Sequence, residues 1–225
     1  RLDHAEAPAE FLNVSFLVPT LRREYGGCAG NIAYTLSLLG GDPRVIAAVG
    51  ADGHDYLRRV QSWGASTEHV RVIEDSYTAQ AIIITDVENN QITAFHPGAM
   101  QHAHCIDVPT GGDVRLGIIA PDGRDAMLLH SAQLVDADIP FIFDPGQQLP
   151  QFDGAEHREI LGMARWVALN DYEARMLCER TGESLTEISQ RPNIEGIVVT
   201  LAEQGCEVWH RGARTPVAGN PADAI

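Results

Sequence analysis

Four short apolar runs, Leu116 to Ala120, Phe141 to Phe143, Trp166 to Leu169 and Ile197 to Thr200, are separated by longer stretches of helical spacing. Strands that alternate with helices lie parallel, because a helix carries the chain back to the start of the next strand. The pattern therefore predicts an α/β protein with a mostly parallel central sheet covered by helices. With 225 residues, 44% of them hydrophobic and 21% charged, the chain can bury one substantial core. No repeat, low-complexity tract or linker divides it, so 1–225 reads as a single domain.

The first hundred residues read less uniformly. A helix follows Gly26-Gly27, with Ile32, Leu36 and Leu39 at helical spacing up to the stop at Gly40-Gly41. Arg44 to Val49 reads as a buried strand, and Tyr56 to Trp63 as an amphipathic helix closed by Gly64. Leu12 to Val18 and Ala79 to Thr85 are rich in β-formers, and the second turns through Glu88-Asn89-Asn90 into Gln91 to Phe95. Those stretches predict a small antiparallel sheet apart from the main one.

A formal net charge of −15 opposes extended contact with nucleic acid, which needs clustered Lys and Arg. Cys28, Cys105, Cys178 and Cys206 form no Cys-x-x-Cys pair, so they read as reduced thiols rather than a zinc site or a disulfide framework. With no apolar run of bilayer length and no signal-like start, a soluble cytoplasmic protein is expected. His102, His104 and Cys105 have one metal-like feature, two histidines that would share a strand face, but no further ligand accompanies them. They read as solvated loop residues. No serine sits in a Gly-x-Ser-x-Gly turn, which speaks against a serine hydrolase.

Three of the strands end on a polar residue: Asp144, Asn170 and Thr200. In an open α/β sheet, ligands bind at the carboxyl ends of the strands, so three such ends outline a site. Each has a local explanation beside the functional one. Asp144-Pro145-Gly146 is a turn sequence. Asn170-Asp171-Tyr172-Glu173 fits a helix capping box, and Glu203-Gln204-Gly205 can turn one strand into Cys206 to Trp209 as a hairpin.

Gly26 to Ala33, Gly-Gly-Cys-Ala-Gly-Asn-Ile-Ala, places small residues and free amides at a helix start, where a polar ligand can approach closely. It lacks the Gly-Lys-Ser/Thr of the Walker loop and the strand and spacing of the Rossmann fingerprint. A helix cap explains Asn31 but not three glycines.

That run, followed by Gly40-Gly41 and by Val45 to Asp52-Gly53, resembles the first signature of the ribokinase or PfkB-type carbohydrate kinase family, which includes adenosine kinases. The likeness covers essentially the whole chain and implies a ribokinase-like three-layer fold with a β-sheet lid formed by about 8–25 and 75–100. It implies that Gly26 and Gly27 form a hinge under the lid and that Asn31 holds sugar hydroxyls. It further implies that Asn170 and Glu173, an Asn-x-x-Glu motif, organise Mg²⁺ and phosphate through water. Thr200 and Gly205 match the ATP loop, with Ala202 where the family usually has glycine, and Asp144 matches an acidic strand-end position. The family's first strand would precede Arg1, and its Gly-x-Gly-Asp motif, with the catalytic Asp, would follow Ile225. The implied activity is transfer of the γ-phosphate of ATP to a nucleoside of adenosine type. A sugar kinase and a non-catalytic nucleoside-binding protein are the alternatives. Leu12, Val14, Phe16 and Val18 alternate on one lid face, and Phe95 and Met100 could join them in covering a purine. The same face would also suit a homodimer through the lid.

Overall fold

The computed structural model describes residues 17–88, 90–111 and 113–220. In chain order, α1 (Cys28–Leu38) leads to β1 (Ala47–Gly50), α2 (His54–Ser62) and β2 (Val70–Ile73), and then to a hairpin of β3 (Gln80–Thr85) and β4 (Gln91–His96). The alternation follows: β5 (Gly117–Ile119), α3 (Arg124–Asp136), β6 (Phe141–Phe143), α4 (Gly154–Met163), β7 (Trp166–Asn170), α5 (Asp171–Thr181), α6 (Leu185–Ser189) and β8 (Gly196–Thr200). It closes with β9 (Gly205–His210) and β10 (Ala213–Ala218).

Strands β5 to β10 form one six-stranded sheet in sequence order. The four strands β5 to β8 are parallel, each pair joined over a helix, and β9 and β10 add antiparallel at one edge. The principal core is built on this sheet: Phe141, Phe143 and Val167 from its strands meet Leu149, Phe152, Ile160, Leu161 and Leu177 from the connections between them. Each phenylalanine is fully buried, which contributes roughly 2–3 kcal/mol by area. The strand over 44–49 is realised as β1, but among the described residues it pairs with β2, in parallel, and not with the main sheet.

Helix α1 departs from the leucine pattern. It begins at Cys28, directly after Gly26-Gly27 as expected, but it buries Gly30 and Ala33, while Leu38 is 69% exposed. Helix α2 packs on the small residues, so periodicity named the helix but not the buried face.

The small antiparallel sheet is the β3–β4 hairpin, in full register from Gln80↔His96 to Thr85↔Gln91. The other predicted lid strand, Leu12 to Val18, lies outside the described residues except for Leu17 and Val18, which are in no strand. The hairpin is rooted to β1 through Asp52. One carboxylate oxygen accepts from the Thr78 amide at 2.7 Å and from its hydroxyl at 2.8 Å, and that hydroxyl accepts from the Gly50 amide at 3.0 Å. Burial alone would raise the Asp52 carboxyl, but the Thr78 hydrogen bonds hold it below the usual range.

Candidate active site

The strand-end residues share the carboxyl edge of the main sheet. Asn170 and Thr200 are register partners across β7 and β8, and the Asp144 amide donates to the Ile119 carbonyl at 2.9 Å across β5 and β6. A cleft of about 560 Å³ opens there, and its lining includes Asp144, Asn170 and Glu173 together with Cys28 from the first turn of α1. The glycine-rich helix start and the strand ends, more than 100 residues apart in sequence, therefore face one cavity. Pro121, Gly146, Gln147, Leu149, Pro150, Tyr172 and Met176 complete the wall. No motif marks most of these; only Gly146, in a turn sequence, and Tyr172, inside the capping box, fall within recognised patterns.

The local explanations and the cleft coexist. Asn170 caps α5 by accepting from the Glu173 amide at 2.8 Å, while Glu173 reaches back to the Asn170 amide at 2.8 Å and to its side-chain nitrogen at 2.8 Å. This reciprocal capping box fixes a carboxylate at the cleft wall. Asp144-Pro145-Gly146 makes its turn, with Gly146 at φ 48 and so close to Pro121 that a Cβ would meet its ring at 2.5 Å. That turn sends residues 146–151 along the cleft as a 3-10 segment.

Electrostatics single out Asp144. Burial, and secondarily the charge of Glu173, push its carboxyl up to about 6. The Cys28 thiol is likewise raised by burial and then by Asp144 and Glu173, which shows how near α1 lies to both carboxylates. Beside Pro121, burial pushes Asp122 up to about 7, another acid at this edge that no sequence motif marks.

The remaining expected residues do not line the cleft. Gly26, Gly27 and Asn31 flank Cys28, and the Asn31 amide donates to the Gly27 carbonyl at 3.0 Å. Phe95 is 45% exposed near the end of β4, and Met100 follows in the 3-10 segment Gly98–Cys105. Thr200 ends β8 beside Asn170, and Gly205 begins β9 after the intervening turn. Gly205 has a structural reason to be glycine: φ is 100, and a Cβ would sit 2.1 Å from the Val217 carbonyl.

Ala202, in the same turn, has φ 50, a left-handed conformation that penalises any Cβ by roughly 1–2 kcal/mol. Glycine's greater freedom in the unfolded chain takes back part of that. Ala202→Gly is expected to raise the melting temperature by about 1–4 °C in a thermal melt. A lower value would show that the Ala202 methyl is packed rather than strained.

His102 and His104 lie in the 3-10 segment rather than on a strand, with ring centres 6.4 Å apart. Among the described residues no three His, Cys, Asp or Glu side chains gather as a metal site. No helix among them is long and apolar enough to cross a membrane.

Known proteins resemble this chain over nearly its whole length. Residues 3–225 match the pfkB family carbohydrate kinases. A nucleoside kinase of Burkholderia thailandensis, solved in complex with inosine, is 48% identical, with a TM-score of 0.88 over 94% of this chain and 71% of its own. The same protein in complex with ADP-inosine gives 47% identity and a TM-score of 0.84 over 98% of this chain and 69% of its own. A nucleoside kinase of Methanocaldococcus jannaschii is 26% identical over 207 residues, 91% of this chain and 67% of its own. The chain spans about two thirds of the length of the curated relatives it matches.

Proposed function

We propose that this chain, which belongs to the pfkB family of carbohydrate kinases, transfers the γ-phosphate of ATP to a hydroxyl of a purine nucleoside. The observation that carries the reading is the cleft, in which the glycine-rich start of α1 meets Asp144 and the Asn170–Glu173 pair at the carboxyl edge of the sheet. In this reading the acceptor sits on the α1 side, held by Gly26, Gly27 and Asn31 and covered by Phe95 and Met100. ATP lies along Asp144, Asn170, Glu173, Thr200 and Gly205. The likeness to the inosine complex of the Burkholderia enzyme favours a nucleoside over a free sugar.

The site residues fit Mg²⁺ held through water. None of the residues lining the cleft is Lys or Arg, and two carboxylates face it, so a polyphosphate entering it needs a cation to offset repulsion. Asp144 and Glu173 supply the hard oxygen donors such an ion prefers, and among the described residues no third acidic, His or Cys ligand joins them. Bound there, Mg²⁺ would neutralise phosphate charge as the phosphoryl group moves. The protein's own contribution is placement, since the capping box locks the Glu173 rotamer and the turn at Asp144 fixes the opposite wall. The exposed Ile82, Ile83 and Ile92 of the hairpin support a homodimer joined at the lid, and four free cysteines accord with a reducing cytoplasm.

Steady-state kinetics of the full-length protein test the acceptor. Stacking a base on an aromatic is worth about 1–3 kcal/mol, so kcat/KM for adenosine, inosine or guanosine should exceed that for ribose or fructose by about 5- to 150-fold. Equal or better values for the free sugars would overturn the nucleoside assignment.

A further inference from the structure

The first turn of α1 has to be held in place by something other than its own backbone. Gly26 and Gly27 precede it, Gly27 at φ 96, and a Cβ on Gly26 would meet nothing within 4 Å. Residues 17–27 are exposed and outside any helix or strand. Two adjacent glycines in open surroundings leave the entry angle of the helix undetermined. Yet that turn carries Cys28 into the cleft beside Asp144 and Glu173.

The group that fixes it comes from α2. The Tyr56 hydroxyl donates to the Gly26 carbonyl at 2.6 Å. The Tyr25 ring stacks on the Tyr56 ring, 5.4 Å away and inclined by 17°. Arg59 lies 5.1 Å from the Tyr25 ring and 5.6 Å from that of Trp63, which meets Tyr34 of α1 edge-on at 5.0 Å. Gly30 completes the fit, because a Cβ there would lie 1.9 Å from the Tyr56 oxygen. So α2 and the residue that caps it grip one face of α1 at two points, Tyr56 at the glycines and Trp63 at Tyr34. Burial raises the Tyr56 hydroxyl above its usual range, so it stays protonated and remains a donor at neutral pH.

We infer that Tyr56 is a positioning residue for the acceptor side of the cleft: its hydrogen bond to Gly26 and its seat against Gly30 set the angle at which α1 presents its first turn to the substrate. Tyr56 does not line the cleft that holds Asp144 and Glu173, so it acts on acceptor binding through α1 and leaves the nucleotide side alone. This rests on the nucleoside kinase reading for its kinetic consequence, but its structural content stands independently.

Tyr56→Phe keeps the ring stack and removes only the hydroxyl. One hydroxyl-to-carbonyl bond shifts an equilibrium by roughly 3- to 10-fold. In the full-length protein, KM for inosine should rise by about that factor, while KM for ATP and kcat at saturation stay within about 2-fold. Gly30→Ala should reproduce the effect by displacing the hydroxyl. The double variant should be no worse than either single one, since both break the same contact. Amide hydrogen exchange at Asn31, Ile32 and Ala33, the first amides of α1 that bond back to its first turn, should quicken by a similar factor in Tyr56→Phe. Unchanged exchange there would overturn the inference whatever the kinetics show. So would additive effects of the two substitutions, or a fall in kcat with both KM values moving together. If the wild-type protein turns over no nucleoside, the proposed function fails, and the exchange measurement still decides the role of Tyr56.

Discussion

Glu173→Gln in the full-length protein is expected to lower kcat on the order of 100-fold while KM for the nucleoside changes by no more than about 3-fold. The capping geometry makes the experiment interpretable. Both carboxylate oxygens of Glu173 accept from Asn170, one from the amide and one from the side chain. An amide can satisfy only one of these, so the cap should weaken by about 1 kcal/mol, or a few degrees in melting temperature. The protein supplies its own control. The same reciprocal box caps α6, where Glu187 accepts from the Ser184 amide and hydroxyl, both at 2.7 Å, and Glu187 does not line the cleft. Glu187 makes both bonds with one oxygen, which a glutamine carbonyl can keep, so Glu187→Gln should bring a smaller thermal loss and no kinetic one. A melting shift in Glu173→Gln with kcat unchanged would leave Glu173 as a helix cap and nothing more.

That pair also shows what the sequence can and cannot disclose. Asn170 to Glu173 is legible because a capping box is local, a matter of side chains three residues apart at the start of a helix. The parallel strands β5 to β8 are legible for the same reason, since each is a short apolar run between helical stretches. Strand β10 is not. Its Ala-Arg-Thr-Pro-Val-Ala carries Pro216, tolerated there because β10 lies at the sheet's edge and pairs only with β9. The four-residue β2 likewise hides Val70 and Val72 behind Arg71 and a charged approach. Pro121, Gln147, Leu149 and Met176 reach the cleft only through tertiary placement, which no spacing rule encodes. Helix α1 is the instructive failure: its leucines carry the helical period, yet what packs on it is Tyr56 and Trp63, and these select Gly30 and Ala33. Periodicity identifies a helix. Its partner decides which face is inside.

Asp144→Asn is expected to make the protein more stable at pH 8 and a poorer kinase. The Asp144 carboxyl titrates at about 6 in the folded chain against an ordinary 3.8. Between those values the folded state holds a proton that the unfolded state has released, so stability falls as pH rises through the window and the loss is complete above about 6. The difference, 6 − 3.8 or about 2 units, corresponds to at most about 3 kcal/mol. Solvent access to a partly exposed carboxylate reduces this to about 1–2 kcal/mol. Asn removes the ionisation. The variant's melting temperature should exceed wild type by about 2–8 °C at pH 8 and match it near pH 4. Because the charge of Glu173 is the second cause of the shift, the gain should shrink when Asp144→Asn is made on Glu173→Gln. The repulsion that destabilises the protein is also what a cation-bearing nucleotide relieves, so Mg·ATP should raise the melting temperature of wild type more than that of the variant. A variant less stable than wild type at both pH values would show that Asp144 is held by its turn rather than strained by its charge. If Mg·ATP stabilises both proteins equally, Asp144 takes no part in binding the nucleotide.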